Sequence, residues 1–171
     1  IDYWTLPALE YIGAGAWGIN TMWLTQTMDN PTLANNRSML AALKLFDFNI
    51  WNPYCMQQLV AKFRETENKF GIAEDDSRFL GYWQKENNPA VSGLPVFVKS
   101  SFFVRPGKGA LVYISNLNKA KQSVEVKFDF SRWNLNNFKV TDAETGQEIK
   151  SDGNTVSLEI EGHDFHCLLV K

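Results

Sequence analysis

The chain has 171 residues, 44% of them hydrophobic, which is enough for one modest core or two small ones. The formal net charge is −2, and lysine and arginine are scattered along the sequence. The chain therefore lacks the cluster of basic residues that nucleic-acid binding requires. Apolar runs stay short of the roughly 20 residues that span a bilayer. We therefore expect neither a nucleic-acid partner nor a membrane span.

The sequence begins inside an apolar, aromatic run, Ile1-Asp2-Tyr3-Trp4, without an initiator methionine. Natural domains usually begin with polar, loosely held residues. We therefore expect the chain to be part of a longer protein, with some of its machinery upstream. A carboxylate beside two aromatic rings suits sugar binding as well as core packing. Asp2, Tyr3 and Trp4 are accordingly the candidate substrate-binding residues.

A glycine-rich segment, Gly13 to Gly18, matches the dinucleotide fingerprint letter by letter. That fingerprint works only between a strand and a helix. Here Pro7 disturbs the preceding run and the β-prone Ile19–Leu24 follows, so the segment indicates a tight turn and no nucleotide cofactor. A buried strand over Ile19–Leu24 is one possibility, although a short apolar run cannot be assigned by periodicity alone.

Helical patterns follow. Asn30-Pro31 and Asn52-Pro53 each read as an N-cap with proline at the first helical position. The second helix is expected to end at Gly71, with Glu65 and Lys69 paired four residues apart on its polar face. Apolar residues at helical spacing supply the buried stripes of the two helices: Leu33, Leu40, Leu43 and Phe46, then Met56, Leu59, Val60, Phe63 and Phe70. A short third helix is predicted to hold Phe79, Leu80 and Trp83.

Turn formers cluster at Asn87–Pro89 and Gly93–Pro95, where the pattern changes from helical to alternating. We place a domain boundary there, with residues 1–93 mostly helical and residues 94–171 all β. In the second part, apolar and polar residues alternate over Val124–Phe130 and Val156–Glu161, as in strands with one solvent-exposed face. Further strands are predicted at Val96–Val104, Leu111–Ile114, Phe138–Thr141 and Phe165–Val170. About six short strands joined by short turns predict an antiparallel β-sandwich, and the fold class is α+β.

Metal-type ligands occur together in His163-Asp164-Phe165-His166-Cys167. On a strand, His163 and Cys167 would point to one face and Asp164 and His166 to the other. One ion could not collect all four, so no metal site is expected and no cofactor is implied. Two distant cysteines, Cys55 and Cys167, indicate buried thiols rather than a disulfide framework.

Carboxylates in the tryptophan-rich part, Asp2, Glu10, Asp29 and Asp47, could supply the acid and base of glycoside hydrolysis, although capping or solvated roles are more common. Trp133 stands alone in the Ser131–Asn137 loop, either as a sugar platform or as a cover over one end of the sandwich. Asn36-Arg37-Ser38 matches a glycosylation sequon, a frequent chance match.

Three runs carry a family resemblance: Phe79–Trp83, Ala110–Leu117 with the downstream Thr141–Gly146, and the closing Gly162–Val170. Together they resemble the C-terminal portion of bacterial (β/α)8-barrel glycoside hydrolases, in particular relatives of the β-N-acetylgalactosaminidase family. The opening Asp2-Tyr3-Trp4 is similar to a segment near the last barrel strands of those proteins. The resemblance implies that residues up to about Gly93 are the end of a barrel, that a β-sandwich packs against it, and that the compartment is periplasmic or extracellular.

The resemblance also implies that the catalytic carboxylates lie upstream. The leading hypothesis is therefore that the chain is a C-terminal piece of a glycan-processing hydrolase and is inactive alone. Its partners would be carbohydrate and the upstream part of the same polypeptide. A second hypothesis is a non-catalytic carbohydrate-binding module that uses Trp133 or the Tyr3-Trp4 pair. A third is a structural or adhesive β-sandwich with a helical adaptor, which predicts a protein partner and no sugar affinity.

Overall fold

The computed structural model describes residues 5–14, 22–26 and 32–171. Within these residues lie three helices, α1 (Leu6–Ala14), α2 (Leu33–Leu43) and α3 (Gln57–Phe70). The same residues contain eleven strands: β1 (Met22–Gln26), β2 (Asn49–Tyr54), β3 (Arg78–Leu80), β4 (Ala90–Ser92), β5 (Val98–Arg105), β6 (Gly109–Asn116), β7 (Gln122–Phe128), β8 (Val140–Asp142), β9 (Ser151–Asp152), β10 (Thr155–Ile160) and β11 (Asp164–Val170).

The strands form three sheets. A five-stranded sheet has the order β3-β5-β6-β11-β8, and a four-stranded sheet has the order β4-β7-β10-β9. Neighbours in both are antiparallel. The third sheet consists of β1 and β2, which run parallel. The predicted α+β class with an antiparallel sandwich is therefore confirmed.

The five-stranded sheet is the middle layer of the molecule, because apolar side chains leave both of its faces. On β6, Val112 and Ile114 belong to the core shared with the four-stranded sheet. Leu111 and Tyr113, at the alternating positions, belong to a second core shared with the helices. This double burial explains why the β6 sequence is continuously apolar, as predicted for a central strand.

The helical layer packs on the outer face of the five-stranded sheet. Helix α2 begins at its N-cap Thr32, whose hydroxyl accepts the N–H of Asn35 at 3.2 Å, and it contacts β6 and β11. Helix α3 ends at Gly71, which has φ +86°. There Arg105 of β5 donates to the carbonyl of Phe70 at 2.9 Å. The predicted stop at Gly71 is confirmed, and the contact with Arg105 ties the end of α3 to the sheet.

The alternating patterns are confirmed as β7 and β10, which pair in register from Gln122↔Ile160 to Lys127↔Thr155. The strand predicted at Val96–Val104 is confirmed as β5, which pairs with β6 across the turn at Pro106–Lys108. The ion pair between Glu65 and Lys69 is also present, at 2.7 Å.

Two helix predictions are wrong. Phe79 and Leu80 lie in β3 instead of a third helix, because they pair with Phe103 and Phe102 of β5 at the edge of the sheet. Asn52-Pro53 does not start a helix but lies within β2, and α3 begins only at Gln57. Helix α2 begins at Leu33, later than predicted, and Asn30 and Pro31 are outside the described residues.

Strands β3 and β4 precede position 94 in sequence but pair with β5 and β7, which follow it. Backbone hydrogen bonds therefore cross the position at which the composition changes. Cys55 and Cys167 are both buried thiols. Among the described helices, none is long and apolar enough to cross a membrane.

Candidate functional site

The carboxyl ends of the parallel strands β1 and β2 form the first candidate site. Trp51 pairs with Leu24, and Tyr54 pairs with Gln26, so β2 contains one extra residue between the two pairs. The extra residue interrupts the alternation of side chains along β2 between Trp51 and Tyr54.

The burial of side chains differs from residue to residue along β2. Ile50, next to Trp51, is buried in the core under the helices. Trp51 and Tyr54 are instead 55% and 58% exposed, which is unusual for large aromatic side chains. We call these two exposed side chains of β2, Trp51 and Tyr54, together the β2 aromatic pair.

A buried asparagine holds the end of β2 in place. The Asn36 side chain, on α2, accepts the backbone N–H of Met56 at 2.8 Å and donates to the carbonyl of Thr32 at 2.8 Å. Asn36 is fully buried, so its sequon is closed to modification in the folded protein. Arg64 of α3 donates to the carbonyl of Ile50. Both contacts fix β2 relative to the helices.

The residues predicted to bind substrate, Asp2, Tyr3 and Trp4, lie outside the described residues, as does Asp29. Of the glycine-rich segment, Gly13 is on α1, where a Cβ would lie 2.6 Å from the Phe46 ring. Gly15 and Gly18 are also outside the described residues. The close approach at Gly13 is a packing role for a small residue.

Two of the candidate carboxylates are described. Glu10 on α1 accepts the Tyr82 hydroxyl at 2.5 Å, and burial together with Glu10 raises the pKa of Tyr82. Asp47 lies in the turn after α2. Burial, then the charge of Glu67, raises its pKa. The hydrogen bond to Tyr82 gives Glu10 a structural role in the fold.

A buried polar network joins the helices to the middle sheet, and we call it the interlayer network. Lys44, at the end of α2, is 2.6 Å from a carboxylate oxygen of Glu67 on α3. The Tyr113 hydroxyl of β6 donates to the same oxygen at 2.8 Å. Cys167 of β11 lies against Tyr113, and burial raises the pKa of both groups. The network satisfies two buried charges where the two layers meet.

A second ionic cluster lies at the rim of the same interface. Arg37 of α2 donates to Asp164 at 2.6 Å, to Glu144 at 3.0 Å and to the carbonyl of Phe165 at 2.8 Å. Its guanidinium also lies 4.8 Å from the centre of the Phe165 ring. Asp164, one of the metal-type ligands of the sequence analysis, is thus a partner of α2.

The remaining metal-type ligands are separated by the fold. His163 lies in the turn before β11, with φ +54°. His166 lies 3.3 Å from the carboxylate of Asp142 and 2.9 Å from the carbonyl of Glu159. Among residues 5–14, 22–26 and 32–171, no three histidine, cysteine, aspartate or glutamate side chains gather where they could hold an ion.

Aromatic side chains of the sandwich differ in exposure, and Phe97 is 57% exposed. Trp133 is half-buried and packs against the core between the two sheets. The outer face of β7 and β10 borders a shallow depression lined by polar side chains and strand backbone, and its polar residues are Ser123, Glu125, Ser157 and Glu159. The lining of this depression includes no aromatic ring.

Comparison with known proteins finds similarity at the level of structure. No family model matches the chain, and no curated protein does so at a significant level. Solved structures do match. They include a proposed α-N-acetylgalactosaminidase from Bacillus halodurans, with TM-score 0.53 and 11% identity over 78% of this chain and 30% of that one.

Two further matches have similar strength. A GH27 β-L-arabinopyranosidase from Geobacillus stearothermophilus has TM-score 0.50 and 9% identity, over 79% of this chain and 29% of that one. A noncanonic maltogenic α-amylase from Thermotoga neapolitana has TM-score 0.51 and 12% identity, over 96% of this chain and 45% of that one. At these identities the likeness concerns the fold alone, and the chain spans less than half of each of these enzymes.

Proposed function

We propose that this chain is the C-terminal portion of a (β/α)8-barrel glycoside hydrolase-like protein that acts on carbohydrate, related to the β-N-acetylgalactosaminidases. In this proposal β1, α2, β2 and α3 are the end of the barrel. The catalytic carboxylates lie upstream in the same polypeptide, so the chain alone is inactive. The protein works in the periplasm or outside the cell.

The observation that carries the proposal is the parallel pairing of β1 and β2 through α2. Parallel neighbours need a crossover, and a strand-helix-strand unit is the element from which barrels are built. A sheet of two strands is marginal by itself in water. Here the helices beside this sheet are packed on the middle sheet of the sandwich. Further barrel strands beside β1 and β2 would complete such a sheet.

The position of an exposed aromatic side chain at the end of β2 also supports the proposal. Active sites of these barrels lie at the carboxyl ends of the strands. Tyr54 is the last residue of β2, and its side chain is exposed. Asp2, Tyr3 and Trp4 remain candidate substrate-binding residues that precede this unit in sequence.

The test compares two polypeptides, this chain and the same chain with its natural upstream sequence. Both are assayed against p-nitrophenyl glycosides, beginning with the N-acetyl-β-galactosaminide. We expect turnover by the longer polypeptide and none by the 171-residue chain. Turnover by the short chain, or sugar binding without turnover by the longer one, would contradict the proposal; the second result would favour a carbohydrate-binding module.

A further inference from the structure

We infer that one strip of the middle sheet, formed by Phe97, Lys99 and Leu117, is the docking surface for the upstream part of the same polypeptide. We call these three side chains the β5 strip. The assignment rests on the proposed function, which places further barrel elements upstream. It names the residues of this chain that those elements contact and the chemistry that they present in return.

The β5 strip lies on the face of the middle sheet that carries the helices. Phe97 directly precedes β5, and its carbonyl accepts the N–H of Leu117 at 2.9 Å, which extends the register of β5 and β6 by one pair. Side chains alternate along a strand, so Phe97 and Lys99 share the face of Phe103. Phe103 and Leu117 both pack in the core under the helices, whereas Val98 lies in the core between the two sheets.

The helical layer covers this row of side chains only in part. Ser101 is buried and donates to the carbonyl of Leu45, in the turn after α2, at 2.8 Å. Lys99 is half-buried, and Phe97 at the end of the row is more than half exposed. Val96 beside it is also exposed. An exposed apolar surface that continues from a core, with a polar group beside it, is typical of an interaction site.

The continuity of the β5 strip with an existing interface indicates which partner covers it. The helices described on this face, α1, α2 and α3, all precede β5 in the chain. A further element of the same layer would cover Phe97 by extending the core that Phe103 and Leu117 already share with the helices. In the proposed function, that element belongs to the barrel and comes from upstream. The strip therefore fits the upstream part of the same polypeptide.

Lys99 supplies the polar part of the surface. Its Nζ lies 5.7 Å from the centre of the Tyr82 ring, and the Tyr82 hydroxyl is itself bonded to Glu10. The contact with the ring keeps the ammonium near the sheet, about 7 Å along the strand from Phe97. A complementary segment therefore presents an apolar side chain to Phe97 and a carboxylate to Lys99, as one side of an amphipathic helix can.

The test is hydroxyl-radical footprinting, read by mass spectrometry, of the 171-residue chain and of the same chain with its natural upstream sequence. We expect the modification of Phe97 to slow severalfold in the longer polypeptide, while that of Val91, exposed on β4 in the other sheet, stays the same. In the longer polypeptide, Lys99→Glu should restore the modification of Phe97, and Lys99→Arg should not. Lys127→Glu, on the exposed face of β7, is the matched charge control and should change nothing.

Equal modification of Phe97 in the two polypeptides would overturn the assignment, as would protection that a folded Lys99→Glu variant retains. Protection in the 171-residue chain that grows with its own concentration would assign the strip to a second copy instead, and protection by added maltotriose would assign it to a sugar. Hydrolysis of a p-nitrophenyl glycoside by a longer polypeptide in which Phe97 stays exposed would keep the hydrolase and remove the docking surface. Protection that depends on Lys99, without hydrolysis, would do the opposite.

Discussion

The interlayer network gives a prediction whose magnitude follows from burial. Lys44 and Glu67 are 2.6 Å apart, and both side chains are more than nine-tenths buried. Replacing Lys44 by Met keeps the apolar stem and removes the ammonium, which leaves the Glu67 carboxylate in the interface without its cation. Breaking a buried ion pair in this way costs about 3–5 kcal/mol.

The chain itself provides the matched control. Lys69 and Glu65, also on α3, are 2.7 Å apart but largely exposed. The geometry of the two pairs is nearly equal, so burial is the main difference between them. Lys69→Met should hardly change stability, because exposed pairs are screened by water and salt.

The assay is urea unfolding followed by tryptophan fluorescence and far-UV circular dichroism. At a slope of about 2 kcal/mol/M, a loss of 3 kcal/mol lowers the urea midpoint by about 1.5 M. Tyr113→Phe, a milder change, removes one hydrogen bond to a charged acceptor and should cost about 1.5–3 kcal/mol. Equal midpoint shifts for Lys44→Met and Lys69→Met would refute this reasoning.

Three other predictions concern single side chains. Burial is the largest cause that raises the pKa of Asp47 in the folded state, so the free energy of unfolding should fall as pH rises from about 4 through that pKa. Asp47→Asn should remove this fall in unfolding measurements. An unchanged pH dependence in the variant would contradict the prediction. Gly71→Ala should lower the free energy of unfolding by about 1–2 kcal/mol for the left-handed backbone, and by more because a Cβ there would lie 2.5 Å from Arg105. Gly107→Ala would place its Cβ in open space and should cost less stability. Equal losses for the two variants in thermal unfolding would argue against the contact with Arg105. Cys167, buried and with a raised pKa, should resist alkylation in the native protein and react only in urea, as mass spectrometry would show; rapid native labelling would be inconsistent with its burial.

Local patterns predicted the sandwich because polar and apolar side chains alternate along its strands with a period of two residues. In β7 and β10 one face is exposed to solvent and the other is buried, so the alternation appears directly in the sequence. Gly71 was also predictable, since a left-handed residue at a helix end favours glycine.

The predictions failed where long-range pairing decided the structure. Phe79 and Leu80 have no strand signal of their own and become a strand by pairing with β5. Asn52-Pro53 resembles a helix start, but the pairing of β2 with β1 places it in a bulge. The β2 aromatic pair could not be found by counting alternate residues, because the bulge changes the alternation. The interlayer network joins residues that are far apart in sequence.

The central claim is that β1 and β2 belong to a larger sheet, and amide hydrogen exchange on this chain and on the longer polypeptide tests it most directly. We predict that the amides of Met22–Gln26 and Asn49–Tyr54 exchange rapidly in this chain and become protected in the longer polypeptide, while those of β6 are protected in both. Protection of β1 and β2 in the 171-residue chain equal to that of β6, with no change in the longer polypeptide, would contradict the account.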